Sequence, residues 1–228
     1  MARFAAWGGS RSVRVVAFLL AAAVGACGRQ EAHLNQPAVD IKNGDTCVVC
    51  GMYITHYPGP RGEAYLSGVK GLLKFGSTRD FFAYVTRDDI VPRLQTLYVQ
   101  DTARIDWTHP SNAAASFTDA RTAYYVAWQP VAGEMGSTFA SFAKRTDAEA
   151  FIGAHGGALL RFDQITPALV SGLTYTCPAA SSPFYALAVK AKCVVKAGAM
   201  SAGTRPMHMD GSGVMPGSAT PAGTMRSE

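Results

Sequence analysis

Charged residues are scarce in this chain of 228 residues: they make up 16% of the sequence, whereas hydrophobic residues make up 48%. That balance excludes a chain that is disordered throughout, and it is not the composition of a collagen or a coiled coil. The formal net charge is +5, but the first 27 residues hold three arginines and no acid. Residues 28–228 therefore carry 18 basic and 16 acidic side chains, a net charge of +2. With no run of basic residues, we expect no nucleic-acid partner.

The motifs of common enzymes are also missing. The sequence shows no serine–histidine–aspartate order, no phosphate-binding loop and no pair of carboxylates in an evident cleft. We therefore expect that the protein is not an enzyme. At 228 residues the chain is long enough for one large domain or two small ones with a well-buried core.

No hydrophobic run is long enough to span a bilayer comfortably, but a short one from about Val13 to Val24 follows the N-terminal arginines. This arrangement is typical of a secretory signal. The run ends in Val24-Gly25-Ala26-Cys27, which resembles a bacterial lipobox with Cys27 as the lipidated residue. The alternative is an ordinary signal peptide beside an incidental cysteine. We interpret residues 1–26 as a lipoprotein signal peptide and residues 27–44 as a lipidated tether.

No acidic residue directly follows Cys27. We therefore expect a protein held by its lipid anchor on the periplasmic face of a bacterial membrane, with the outer membrane favoured over the inner one. The lipid bilayer is then a partner of the chain through its N-terminus.

Residues 45–165 hold nearly all of the regular hydrophobic periodicity, and they show one arrangement twice. Capping patterns at Ser77-x-x-Asp80 and Thr146-x-x-Glu149 predict two helix starts, and Gly156-Gly157 predicts a helix end. The predicted elements are a strand at 64–69, a helix at 78–86, a strand at 94–100, a strand at 123–128, a helix at 147–155 and a strand at 159–162. Two strand–helix–strand units indicate an α+β fold of two related modules.

The remainder of the chain is less regular. Residues 166–196 are an uncertain extension in which 185–195 fits either a strand or a short helix, and in which Cys177 and Cys193 are expected to form a disulfide. Residues 197–228 are rich in Gly, Pro and Met and predict a disordered tail. Five of the eight methionines lie there, and Met207-His208-Met209 is either a weak copper motif or a compositional accident.

The segment Cys47-Val48-Val49-Cys50-Gly51-Met52 carries the chemistry of the chain. A structural disulfide is one interpretation, since signal and cysteines indicate an oxidising compartment. A zinc site would need two further ligands. A thiol–disulfide exchange site would be expected to have the cysteine pair at the start of a helix. Thiolates and a thioether together select Cu(I), and Gly51 lets the backbone turn so that Met52 reaches the thiols.

These residues resemble the NosL family, the lipoproteins that help to deliver copper to nitrous oxide reductase. The similarity runs over about residues 27–165 and rests first on the lipobox followed by Cys47-Val-Val-Cys50-Gly51-Met52. Further matching segments are Pro58-Gly59-Pro60-Arg61, Leu97–Asp101, Asp106-Trp107 with Pro110, Asp119–Val126, Glu134-Met135-Gly136, Asp147–Phe151 and His155-Gly156-Gly157. The sequence departs from the family pattern at Glu134, where proline is usual, and in the long segment 166–228.

The resemblance implies a membrane-anchored chaperone that binds Cu(I) through Cys47, Cys50 and Met52 in a shallow, exposed site. It also makes Met135 a candidate ligand, against the commoner role of a core methionine. His56 lies four residues past Met52 in a turn-rich stretch and is a candidate ligand through its imidazole, against the commoner role of a surface histidine. The implied partners are the copper ion and the nitrous oxide reductase maturation proteins of denitrification, including a membrane transporter complex. A periplasmic thiol–disulfide redox protein that uses the same cysteine pair is the alternative.

Overall fold

A four-stranded antiparallel sheet forms the first half of the fold in the computed structural model, which describes residues 36–196. Its strands are β1 (Gly62–Leu66), β2 (Leu73–Phe75), β3 (Leu94–Gln100) and β4 (Phe117–Asp119). Their order across the sheet is β2-β1-β3-β4, so β1 and β3 occupy the centre. Helix α1 (Thr78–Val85) connects β2 to β3. This half is the first predicted strand–helix–strand unit, with one additional short strand on either side.

Helix α1 starts where its capping pattern predicts. The Ser77 hydroxyl accepts a hydrogen bond from the backbone N–H of Asp80 at 3.1 Å, which satisfies one of the free amides of the first turn. Phe81 and Phe82 are completely buried, and their rings meet edge to face. Aromatic burial of this kind fixes the helix against the sheet. The position of the Asp80 carboxyl group was not foreseen, and it bears on the site described below.

A three-stranded antiparallel sheet forms the second half. Its strands are β5 (Tyr124–Ala127), β8 (Ala140–Phe142) and β9 (Ala158–Arg161), in the order β8-β5-β9. Helix α2 (Arg145–His155) joins β8 to β9. A small hairpin of β6 (Ala132–Gly133) and β7 (Gly136–Ser137) interrupts the connection from β5 to β8. The α+β fold of two strand–helix–strand modules is thereby confirmed.

The predicted start of α2 was wrong. The helix begins at Arg145, and Lys144 stands at the N-cap without a side-chain hydrogen bond, so Thr146 lies inside the first turn. The end is as predicted: Gly156 has φ +84°, a conformation that favours glycine and stops the helix. The Thr146 hydroxyl does not cap the helix and instead donates to Asp147 Oδ1 at 3.4 Å.

Residues 166–196 belong to the same core as the two modules. They form α3 (Pro167–Ser171) and α4 (Tyr185–Lys190), and Leu169, Val170 and Ala188 are buried with side chains of both halves. Of the two options for 185–195, the short helix is therefore the observed one. The predicted disulfide between Cys177 and Cys193 is present. The predicted tail at 197–228 lies outside the described residues.

The segment before the first strand packs on the open face of the first sheet. The backbone N–H of Val39 donates to Glu63 at 3.1 Å, and the hydroxyls of Tyr65 and Tyr98 donate to the carbonyls of Pro37 and Gln36. The last part of the predicted tether is therefore docked on the domain. Cys27 and the signal peptide lie outside the described residues. Among residues 36–196, no helix has the length and apolarity needed to cross a membrane.

Candidate metal centre

The two cysteines of the Cys-x-x-Cys motif lie on one tight loop. The N–H of Cys47 donates to the carbonyl of Met52 at 2.9 Å, and the N–H of Gly51 donates back to the carbonyl of Cys47 at 2.8 Å. Gly51 has φ +76°, so a glycine is needed for the chain to turn there. Immediately outside, Thr46 and Tyr53 form an isolated antiparallel bridge that closes the loop. The loop thus holds both thiols on one side of a closed turn.

A small apolar cluster packs against the buried cysteine of this loop. Cys47 is 1% exposed and packs with the buried side chains of Ile41, Ile54 and Phe117. The N–H of Val48 also donates to the carbonyl of Lys74 on β2 at 3.0 Å. The site is therefore less open than the sequence indicated: Cys47 is buried, and Cys50 is the half-buried thiol of the pair.

Two carboxylates complete a four-residue cluster with the thiols. The Cys47 thiol donates to Asp80 Oδ2 at 3.3 Å. Ligand atoms of Cys47, Cys50, Asp80 and Glu134 all lie within 4.8 Å of one another. Asp80 comes from the first turn of α1 and Glu134 from the two-residue turn between β6 and β7. We call these four residues the thiol–carboxylate cluster; its donor set suits a soft or borderline metal ion.

Glu134 reaches the cluster because Gly76 has no side chain. A Cβ atom on Gly76 would stand 1.8 Å from Glu134 Oε2. Both carboxylate oxygens are buried, and within residues 36–196 neither has a hydrogen-bond partner of normal geometry. Burial, with the nearby charge of Asp80, raises the pKa of Glu134 to about 7. A buried carboxylate whose only nearby donors within that range are the thiols of Cys50 and Cys47 is costly, so this side chain favours the binding of a cation or a proton.

The thiols are protonated in the metal-free protein near neutral pH. Burial raises the pKa of Cys50 to about 12, and the charges of Cys47 and Glu134 add to the increase. Burial also raises the pKa of Cys47, although a hydrogen bond from the backbone of Gly76 opposes that shift. A metal ion that binds here therefore displaces protons.

These properties bear on the alternatives for the cysteine pair. Both cysteines are free thiols, which disfavours the structural disulfide. Thiol–disulfide exchange requires a lowered thiol pKa, whereas both pKa values here are raised. The pair also lies on a loop rather than at the start of a helix. Two of the four interpretations of the motif remain, and both are metal sites, one for zinc and one for Cu(I).

The three other predicted ligands, Met52, Met135 and His56, differ in their position relative to the thiol–carboxylate cluster. Met52 follows Cys50 by two residues and is half-buried. Met135 directly follows Glu134 in the hairpin turn and is 51% exposed. The imidazole of His56 packs at a tilt of 50° against the Tyr53 ring and lines a separate pocket with His109. His56 is therefore not a member of the thiol–carboxylate cluster.

Asp80 and Glu134 are the two members of the cluster that the sequence did not identify. Asp80 was interpreted as a helix-capping residue, and its N–H does serve the cap while its carboxylate faces Cys47. Glu134 stood out only as a departure from the NosL pattern. An acid in the turn of a Gly-rich hairpin was the one available signal.

Fold and cluster together define a small α+β protein with a candidate metal centre of two thiols and two carboxylates. The NosL family model matches residues 38–170 of the chain. This chain belongs to the NosL family, and the resemblance seen in the sequence is confirmed.

Two characterised relatives and one solved structure support the assignment. A copper-binding lipoprotein NosL of Stutzerimonas stutzeri is 38% identical over 157 residues, which cover 68% of this chain and 80% of that protein. A copper-binding lipoprotein NosL of Achromobacter cycloclastes is 32% identical over 124 residues, 53% of this chain and 63% of that protein. The crystal structure of the copper chaperone NosL from Shewanella denitrificans has a TM-score of 0.55 and 40% identity, and the match covers 57% of this chain and 96% of that one.

Proposed function

We propose that this protein is a membrane-anchored Cu(I)-binding chaperone that supplies copper for the assembly of the nitrous oxide reductase centres. The observation that carries the proposal is the pair of free, closely spaced thiols of Cys47 and Cys50. Supporting it, relatives that share this fold are named copper-binding lipoproteins and a copper chaperone. A carrier role needs no catalytic step, in keeping with the expectation that the protein is not an enzyme.

Cys47 and Cys50 are the proposed primary ligands, since thiolates bind Cu(I) most firmly among protein side chains. Met52 and Met135 are the proposed thioether ligands because each directly neighbours a segment that contributes to the cluster. His56 is a weaker candidate, since it lines another pocket. Asp80 and Glu134 would accept protons or hydrogen bonds from the thiols rather than bind a soft ion, because carboxylates are hard donors.

Copper transfer by ligand exchange requires that a partner reaches the bound ion. Cys50 is the more exposed thiol, so we assign it as the first ligand to be exchanged and the buried Cys47 as the last. Exposed apolar side chains occur in the segments that form the cluster, namely Val48, Val49, Tyr53 and Met135. Exposed apolar groups beside a site favour contact with another protein. The proposed recipients are the maturation proteins, including a membrane transporter complex.

Anchoring follows from the N-terminus. Cys27 is the proposed lipidation site, and the protein would then lie on the periplasmic face of a bacterial membrane, with the outer membrane favoured. The two relatives named as lipoproteins support the anchor.

Zinc is a second candidate because the cluster supplies four donors, whereas the sequence offered only two. Two thiolates and two carboxylates are an acceptable tetrahedral set for Zn²⁺. The two ions make different demands on the cluster. Zn²⁺ binding would depend on Asp80 and Glu134 as well as on the cysteines, whereas Cu(I) binding would depend on the cysteines and Met52.

The deciding experiment is an anaerobic Cu(I) titration of the protein against a competing chelator. Replacing Cys47→Ser and Cys50→Ser together should weaken Cu(I) binding by several orders of magnitude. The matched control is Cys177→Ser with Cys193→Ser, which removes the same number of sulfur atoms from a bridge outside the cluster. An affinity that is unchanged in the first pair of substitutions would contradict the proposed site.

The same titration separates the two ions. Met52→Leu should weaken Cu(I) binding and leave Zn²⁺ binding intact, whereas Glu134→Gln should do the reverse. A redox protein would retain its activity after Met52→Leu. If the wild type binds Zn²⁺ but not Cu(I), and Glu134→Gln weakens that Zn²⁺ binding, the zinc site would be favoured over the copper carrier.

A further inference from the structure

A pocket of about 370 Å³ lies outside the thiol–carboxylate cluster. Two segments form its wall, one at 55–61 before β1 and the other at 108–112 between β3 and β4. Its polar lining consists of Thr55, His56, Arg61, Thr108, His109 and Asn112, with two prolines. The volume is at the small end of the range for ligand pockets. No acidic side chain is part of this lining.

Arg61 is the unusual member of the lining because it is only 1% exposed. One terminal nitrogen, Nη1, donates to Asn112 Oδ1 at 2.6 Å and lies 3.5 Å from the carbonyl of Ser111. Its Nε is buried and has no hydrogen-bond partner among residues 36–196. Within the same residues, no ion pair includes Arg61. The charge of Glu134 acts on this guanidinium without forming a salt bridge, and a buried guanidinium with an unpaired Nε–H is energetically costly.

The charge of Arg61 persists under physiological conditions. Burial lowers the pKa of its guanidinium to about 10, and the charge of Glu134 opposes that shift. The group is therefore cationic near neutral pH. Its bonds to Asn112 and Ser111 hold the side chain in place, which fixes a positive charge at the wall of the pocket.

We propose that this pocket binds a small oxyanion group, a carboxylate or a phosphate, through Arg61. The other lining side chains are complementary to that ligand. Thr55 and Thr108 carry hydroxyl donors, and the imidazoles of His56 and His109 each offer a ring N–H. The Asn112 carbonyl oxygen is taken by Arg61, which leaves the Asn112 amide group as a donor.

The same groups argue against a metal ion at this position. Two histidines within one pocket would otherwise indicate a cation, but the buried positive charge of Arg61 repels one. No carboxylate in the lining offsets that repulsion. The proposed site is thus of opposite charge preference to the thiol–carboxylate cluster, and its lining contains none of the four cluster residues.

The test is calorimetric titration of the full-length protein in detergent with acetate and, separately, with phosphate, at constant ionic strength. Asn112→Asp is the decisive variant because it places a carboxylate where Oδ1 already lies 2.6 Å from Arg61. That internal anion should compete with the ligand and weaken binding by at least about tenfold. Asn43→Asp is the matched control, since it adds the same charge on an exposed turn.

A second variant guards against misfolding. His109→Ala removes an exposed side chain and should also weaken binding while the protein stays folded. Saturable binding of acetate alone would identify a carboxylate, and saturable binding of phosphate alone would identify a phosphate group; either result supports the site. Absence of saturable binding with both probes, or equal affinity in the wild type and Asn112→Asp, would overturn the proposal.

Discussion

Glu63 in β1 offers the clearest test of the energetics in this fold. Its side chain is completely buried in the central strand of the first sheet. Burial, with the charges of Asp45 and Asp40, raises the pKa of Glu63 from 4.5 to about 7, although the bond from Val39 and the charge of Lys74 oppose the shift. Folding therefore favours the protonated form. We predict that Glu63→Gln, which is neutral at every pH, removes one source of pH dependence from stability.

The size of the effect follows from the two pKa values. Because the pKa in the folded state lies above that in the unfolded state, the contribution of Glu63 to stability is fully present below pH 4.5 and is lost as the pH rises to about 7. A difference of about 2.5 pKa units corresponds to about 3 kcal/mol in total. Between about pH 5 and about pH 8, the wild type should lose about 2–3 kcal/mol through this group.

The measurement is urea unfolding of the metal-free protein, with its disulfide intact, across this pH range. Glu134 titrates in the same window, since its pKa is also about 7, so the Glu63→Gln variant should still show the contribution of Glu134. The quantity to compare is therefore the difference in free energy of unfolding between Glu63→Gln and the wild type. Glu149→Gln on the exposed face of α2 is the control and should show no such pH-dependent difference.

A constant difference between Glu63→Gln and the wild type across the whole range would refute the reasoning. It would mean that Glu63 titrates alike in the folded and unfolded protein, and hence that the buried strand does not desolvate it. A difference that grows in the opposite direction would mean that a positive charge, most directly that of Lys74, outweighs the burial of the carboxylate.

Three further predictions concern the site, the disulfide and the anchor. Gly76→Ala should push Glu134 away from the thiols and thereby lower the pKa of Cys50, which would be measured as thiolate absorbance at lower pH. Gly44→Ala is the control, because Gly44 has open space around it and its substitution should leave the thiol titration unchanged. An unchanged thiol titration in Gly76→Ala would show that Glu134 does not act on Cys50. Cys177→Ser with Cys193→Ser opens a loop with a sequence separation of 16 and should reduce the free energy of unfolding, measured in urea, by about 3 kcal/mol. An unchanged free energy would contradict the loop-entropy argument. Cys27→Ser should release the protein from the membrane fraction with its copper affinity unaltered, and a variant that still sediments with membranes would contradict the lipobox interpretation.

Local patterns in the sequence determined the elements that depend on near neighbours. The hydrophobic periodicity predicted both strand–helix–strand modules, and Ser77 marked the start of α1 because a cap needs only the next three residues. The disulfide between Cys177 and Cys193 was predictable because no other cysteine lies near them in the sequence. The Cys-x-x-Cys-Gly-Met segment was recognisable as a soft-metal motif for the same reason, since all of its sulfur donors lie within six residues.

The tertiary structure alone decided what surrounds those thiols. Cys47 meets Asp80 across 33 positions of the chain, and Glu134 arrives from a hairpin in the second half of the fold. It also separated His56 from the cluster and placed it beside Arg61. Such contacts depend on how whole elements pack, and no local period or spacing encodes them. The two thiols of the site could therefore be identified from the sequence, whereas their burial, their raised pKa values and their carboxylate neighbours are determined by the tertiary structure.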